Sequence, residues 1–138
     1  MTTAAYNKPL PWPSPVSREF WAAARRHELV LQHCRRCHEY IHYPRAVCPH
    51  CLSQDLEWAP ASGRGLVYSY TVARRPTASV FADATPYVIA IVELEESVRM
   101  TTNIVGCSPD EVRIGMPVEA VFDDVTDEVT LVKFRPHR

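Results

Sequence analysis

Four of the chain's five cysteines fall into two tight pairs, Cys34-x2-Cys37 and Cys48-x2-Cys51, within the stretch HCRRCHEYIHYPRAVCPHC that runs from His33 to Cys51. Zinc takes four ligands at tetrahedral corners, and a two-residue gap lets both sulfurs of a pair project from one turn. Two such turns facing each other close the site. A closed four-thiolate site leaves no position open for water or substrate, so its chemistry is structural. Binding zinc in this way contributes on the order of 10 kcal/mol to folding in small peptides. The segment between Leu29 and Trp58 is too short to build much core without it. The spacing also suits iron, and one of the nearby histidines (His27, His33, His38, His42, His50) is a possible substitute ligand. His38 and Leu52 follow the second cysteine of each pair, where such turns usually carry glycine. Bulky residues disfavour positive φ, so somewhat different turns are expected there.

Other chemistry is sparse. Arg35, Arg36 and Arg45 make the cysteine segment locally basic. Phosphate binding is one reading; the other is that these cations offset the formal −2 of four thiolates around Zn²⁺. Cys107 ends a strand beside Gly106 and reads as a small apolar residue. A nucleophilic role would need a base, and His137 is the one histidine after His50. The acidic pairs Asp123-Asp124 and Asp127-Glu128 flank a hairpin turn and read as solvated. The sequence contains no Gly-rich phosphate loop, nucleophile elbow or paired-carboxylate motif, so independent catalysis is not expected.

The elements that must position the cysteines follow from pattern. Pro9 to Pro15 reads as an extended arm. A helix is expected from Pro15 to His27, capped by Ser14, with Pro15 at the first helical position. Its stripe of Val16, Phe20, Trp21 and Ala24 must bury against either the chain's own body or a partner. Short strands over 29–32, 41–43 and 56–59 frame the cysteine pairs. Beyond Gly63 the pattern changes to strands alone. Leu66, Tyr68, Tyr70 and Val72 alternate with Val67, Ser69, Thr71 and Ala73. Further strands are expected over 86–94, 98–105, 118–122 and 128–134. Glu95-Glu96-Ser97 turns the first of these into the second, and Ser108-Pro109-Asp110-Glu111 fits a capping box. Five strands with one short helical turn before the fourth predict an OB-like barrel. The expected fold is therefore mainly β, in three parts: arm and helix over 1–28, zinc ribbon over 29–59, and barrel over 60–138.

Composition bounds the function classes. The 138 residues are 46% hydrophobic and 22% charged, which is globular. No run approaches the roughly 20 apolar residues of a membrane span, and the first residues lack the apolar core of a signal peptide. A reducing cytoplasm is the expected location, and there paired cysteines favour metal over disulfides. The net charge of −1 is uneven: residues 1–75 carry +5 and residues 76–138 carry −6. An acidic barrel weighs against nucleic acid, whose binders normally show a basic excess.

Taken in order, the Phe20-Trp21 helix, the four-Cys ribbon and the stretches LEWAPASGRGLVYSYTV, PYVIAIVELEESVRMTTNIVG and VRIGMPVEAVF resemble one family. It comprises rubredoxin-like zinc ribbons fused to an OB-fold, catalogued as a domain of unknown function and associated with acyl-CoA metabolism. The resemblance runs from about Ser17 to Phe134. Ser97 departs from it, since glycine is common in that turn, and suggests a slightly different hairpin.

The resemblance implies a small, non-catalytic partner of thiolase-like or lipid-transfer-type enzymes that make or break carbon–carbon bonds on acyl-CoA thioesters. The partner would supply the catalytic residues. On this reading Cys34, Cys37, Cys48 and Cys51 hold structural zinc, and Phe20, Trp21, Val80 and Phe81 are candidate partner contacts. Arg74 and Arg75, at the start of the loop 76–85, are candidates for the phosphates of CoA. Two alternatives stay open: a nucleic-acid-binding ribbon and barrel that stacks bases on Tyr68 and Tyr70, and a stand-alone acyl-CoA binder.

Overall fold

A computed structural model of the chain describes residues 6–137. One helix, α1 (Arg18–Arg25), precedes a three-stranded antiparallel sheet of β1 (Val30–Cys34), β2 (Tyr40–Ile41) and β3 (Leu56–Pro60), in the order β2-β1-β3. Five further strands, β4 (Arg64–Ala73), β5 (Tyr87–Leu94), β6 (Arg99–Ile104), β7 (Pro117–Asp124) and β8 (Thr130–Pro136), close a barrel in the order β4-β5-β6-β8-β7. This is the mainly β architecture with a five-stranded OB barrel that the sequence predicts.

The helix is shorter than its pattern suggests, at both ends for local reasons. Ser14 does not cap it. The Ser17 amide donates to the Ser14 carbonyl (3.1 Å) and the Ser14 amide to the Ser17 hydroxyl (2.9 Å), so Ser14–Ser17 is a separate hydrogen-bonded turn. At the other end His27 takes a left-handed φ of 62°. Its amide bonds Ala24 O, and the Glu28 amide bonds Ala23 O (both 2.9 Å), closing the helix with a Schellman motif in which histidine stands where glycine is usual. Tertiary contacts hold it there. His27 stacks on Phe122 at 5.3 Å between ring centroids, and its Nε2 lies 3.0 Å from the Asp124 carboxylate.

The helix stripe is covered largely by the chain's own body. Phe20, Ala23 and Ala24 are buried, and Phe20 joins the same core as Leu29, Leu31 and Phe134. Trp21 packs against this core from its rim. Phe20 thus faces inward; Val16, in the turn before the helix, is exposed and Trp21 is half-buried.

In the barrel the alternation along β4 is interrupted. A bulge between Val67 and Ser69 shifts the register, so Val67 pairs with Val92 but Tyr70 pairs with Ala90. Leu66 and Tyr68 therefore lie on the outer face, whereas Tyr70 and Val72 pair on the side of Ala90 and Val88, with Tyr70 still 37% exposed at the barrel's edge. The single apolar face expected for Leu66, Tyr68, Tyr70 and Val72 is split in two. Gly65 permits close pairing of β4 with β5, because a Cβ there would meet the Glu93 carbonyl oxygen at 2.5 Å. The capping box forms as predicted: Ser108 Oγ accepts from the Asp110 amide, and the Ser108 amide donates to Glu111. Ser97 takes a φ of 66°, so the turn keeps its left-handed position without glycine.

The barrel seam between β6 and β8 is held by one register pair, Ile104 with Phe134. Farther along it the Thr102 hydroxyl bridges to the Val132 carbonyl at 3.0 Å. Over this seam sit α1 and the ribbon loop 42–44, enclosing a cleft of about 280 Å³ lined by Phe20, Trp21, His42, Tyr43, Asn103 and Lys133 among others.

Candidate metal centre and its surroundings

The ribbon contains two similar knuckles. In the first, the Cys34 amide bonds Glu39 O, the His38 amide bonds Cys34 O (each 2.9 Å), and the Cys37 amide points at the Cys34 sulfur at 3.4 Å. In the second, the Cys48 amide bonds Ser53 O, the Leu52 amide bonds Cys48 O (each 2.9 Å), and the His50 amide points at the Cys48 sulfur at 3.3 Å. Both turns need a left-handed residue after the second cysteine. His38 (φ 65°) and Leu52 (φ 64°) provide it despite their bulk. The departure expected from the missing glycines does not occur: the paired backbone bonds of each knuckle fix the conformation and the side chains carry the strain.

The knuckles bring four sulfurs together. Cys34 Sγ lies 3.6 Å from Cys51 Sγ, Cys37 Sγ lies 3.6 Å from Cys48 Sγ, and all four fall within 4.8 Å of one another. Tetrahedral zinc with bonds of about 2.3 Å requires sulfur separations of roughly 3.8 Å, so the set fits one metal ion. Cys34 and Cys48 are 0% exposed. Among the described residues this is the one cluster with a metal-binding arrangement, and no histidine enters it.

Without metal the two thiols of the first knuckle are driven in opposite directions. The Cys37 amide, aimed at the Cys34 sulfur, lowers the Cys34 pKa to about 6 despite its burial. The Glu39 amide favours the Cys37 thiolate, but lost hydration and the neighbouring thiols outweigh it and push that pKa up to about 12. Cys34, Cys37, Cys48 and Cys51 would hold a divalent ion as thiolates, so binding would be coupled to loss of their protons.

Two side chains of the ribbon, His33 and Arg35, are paired with carboxylates. His33 Nδ1 lies 2.7 Å from Glu57, and Arg35 reaches both Glu57 and Asp55 at 3.2 Å. His33 and then Arg35 hold the Glu57 carboxyl below the usual carboxylate range. Gln32, buried on β1, clamps the outer loop: its amide group donates to Arg45 O (2.9 Å) and accepts from the Arg45 amide (2.7 Å). That clamp sets the loop carrying His42 and Tyr43 against the barrel. The Tyr43 hydroxyl accepts from the Thr101 amide on the seam side of β6 (3.4 Å). His42 lies between Phe20 and Tyr43, and burial lowers its pKa to about 4, so it is neutral at physiological pH. No residue pattern marks Tyr43, since its role depends on how ribbon and barrel meet.

The remaining candidates are scattered. Arg74 pairs with Asp110 at 3.6 Å and both are exposed; Arg75 is exposed beside it. Val80 and Phe81 sit in a short 3₁₀ turn (Ser79–Phe81) and are half-buried, Phe81 against Tyr87 at 6.0 Å. Tyr68 is capped by Arg99, whose guanidinium carbon lies 3.7 Å from the ring centroid. None of the described helices is long and apolar enough to cross a membrane.

Comparison with known proteins places this geometry in a family. Residues 21–57 match the model described as the ChsH2 rubredoxin-like zinc ribbon domain, and residues 58–123 match the ChsH2 C-terminal OB-fold domain. A "DUF35 domain-containing scaffold protein" of Methanothermobacter thermautotrophicus is 43% identical over 105 residues, 75% of this chain and 78% of the relative. A "probable enoyl-CoA hydratase alpha subunit" of Thermomonospora curvata is 46% identical over 118 residues, 85% of this chain, but the chain spans only 36% of that relative's length. Among solved structures, one titled "Ltp2-ChsH2(DUF35) aldolase" matches with a TM-score of 0.83 and 42% identity, covering 91% of this chain and 98% of the other. With its four-thiolate ribbon joined to an OB barrel, the chain belongs to the ChsH2/DUF35 family.

Proposed function

We propose that the chain is a non-catalytic accessory subunit of a thiolase-like or lipid-transfer-type enzyme that makes or breaks carbon–carbon bonds on acyl-CoA thioesters. The observation that carries this reading is the likeness, over nearly the full length of both chains, to the chain found in an Ltp2-ChsH2(DUF35) aldolase. The relative named "benzoylsuccinyl-CoA thiolase subunit BbsA", 27% identical over 74% of this chain, supports the same class of chemistry. The chain's own residues agree with it. The cysteine cluster is suited to a closed structural zinc, and beside it His33 and Arg35 are engaged with the Glu57 and Asp55 carboxylates.

On this reading zinc shapes the ribbon, the ribbon presses the 42–44 loop onto the β6–β8 seam, and the surface so formed receives the enzyme. Val80, Phe81 and the outer side of Trp21 contribute contacts, and Arg74 and Arg75 face the phosphates of CoA at the shared boundary. The nucleic-acid alternative is disfavoured by the barrel itself. Tyr68 is capped by Arg99, Tyr70 lies on the opposite side of β4, and the ribbon covers the β6 side that an OB reader would leave open. A tagged chain recovered from its native organism after nuclease treatment is expected to bring a thiolase-like protein in near-equal amount. Recovery of the chain alone would overturn the stable-subunit reading and favour a solitary CoA-ester binder.

A further inference from the structure

The arm that leads into α1 has properties that burial of its own chain does not explain. Proline occupies positions 9, 11, 13 and 15 in PLPWPSP. Each proline fixes its own φ, and each biases the residue before it toward extended backbone, so the arm is straight before any contact is made. It is also pinned at both ends. Lys8, with its side chain only 19% exposed, pairs with Asp83 of the β4–β5 loop at 3.2 Å. Ser14 and Ser17 lock the other end through their mutual turn. Between these anchors Pro11 rests half-buried, while Leu10 is exposed and Trp12 is 94% exposed. A tryptophan so fully in water, on a backbone already held, loses little conformational entropy on binding and has its whole apolar surface to bury.

We propose that Trp12, seconded by Leu10, is the anchor by which this chain docks an apolar, aromatic-lined pocket on its enzyme partner; this rests on the accessory-subunit reading above. The chemistry of the arm selects that occupant. Residues 9–16 carry no ionisable side chain and the charge of Lys8 is spent on Asp83, so nothing there attracts phosphate or an anionic headgroup. Prolines at alternate positions strip the amides from one edge of the extended arm and hold it straight, which favours the docking of an extended proline-rich segment as the mode of recognition. Through the Lys8–Asp83 pair the arm is continuous with the loop carrying Val80 and Phe81, so arm and loop form one surface.

The test is co-expression of the full chain with the thiolase-like protein of its own organism, comparing wild type with Trp12→Ala and Trp12→Phe. Affinity is measured by titration and assembly by size-exclusion chromatography with light scattering. Trp12→Ala is expected to weaken the complex about 30-fold or more, as interface tryptophans do. Trp12→Phe should restore much of the affinity, with zinc content and the isolated chain's melting temperature unchanged in both. Acrylamide should quench one highly accessible tryptophan in the free chain and lose that access in the complex. Equal affinity for wild type and Trp12→Ala would overturn the proposal. So would a self-association lost in Trp12→Ala, or binding of wild type but not Trp12→Ala to anionic vesicles. If wild type forms no complex at all, the accessory-subunit reading fails first and the anchor with it.

Discussion

The ribbon and the barrel are both small antiparallel β structures, yet different forces hold them. The ribbon's own buried cluster is Cys34, Ile41 and Cys48, edged by Cys37, Cys51 and Leu56, so most of its interior is metal-ligating sulfur. The barrel and helix share a continuous apolar core that includes Val67, Val92, Met100, Val118 and Phe134. A small segment cannot offset the entropy of ordering its chain by apolar burial alone. A metal held by the four cysteines would stand in for the core that the ribbon lacks, and on that basis the two halves should fail separately.

The largest effect should come from the metal. Replacing Cys48 with serine, or withdrawing the ion with a chelator, is expected to remove stabilisation on the order of 10 kcal/mol from the ribbon. The amides of β1–β3 should then lose protection in hydrogen exchange while those of β5 and β6 keep theirs. Loss of protection in both together would show that the barrel depends on the ribbon. Next in size is the barrel's own centre. Phe134 is 0% exposed, and Phe134→Ala should cost about 3–5 kcal/mol, read as a lowered denaturation midpoint with the metal still bound. A smaller loss, about 1–3 kcal/mol, is expected for Gly65→Ala, whose added methyl meets the Glu93 backbone.

The join between helix and barrel gives a pH-dependent prediction. The Thr130 hydroxyl and then His27 lower the Asp124 pKa below its ordinary 3.8. A depressed carboxylate adds stability that is fully present above its unfolded pKa and is lost as pH falls through the lower, folded value. Wild type should therefore lose stability relative to Asp124→Asn as pH drops from about 5 to below 3.8. Parallel curves for the two proteins would remove Asp124 from the join. The smallest effect expected is a gain. Leu52, 75% exposed at a φ of 64°, carries strain that glycine would not, so Leu52→Gly should stabilise the metal-bound ribbon by up to about 1 kcal/mol.

How far the sequence could be read depended on the range of the interaction. The four-cysteine cluster, the capping box at Ser108 and the five barrel strands are local patterns, and local patterns survive without tertiary knowledge. Features set by distant contacts did not show. His27 ends the helix early because Phe122 and Asp124 receive it, and the bulge that turns Tyr70 inward is fixed by pairing with β5. His38, Leu52 and Ser97 all take the left-handed conformation that their side chains argue against. Backbone hydrogen bonds in each turn outweigh a residue preference of about 1 kcal/mol. Trp12 was hidden for the opposite reason: exposure of a tryptophan becomes notable only once the rest of the chain has found its partners.

On the proposed function this chain organises an enzyme and does not itself perform the reaction. The most direct measurement is carbon–carbon bond turnover of acyl-CoA thioesters by three samples: the chain alone, the thiolase-like partner alone, and the two combined. The expected result is no turnover by the chain, weak or absent turnover by the partner, and strong turnover by the complex. Turnover by the isolated chain, or a partner whose rate and stability are the same with and without it, would contradict the claim.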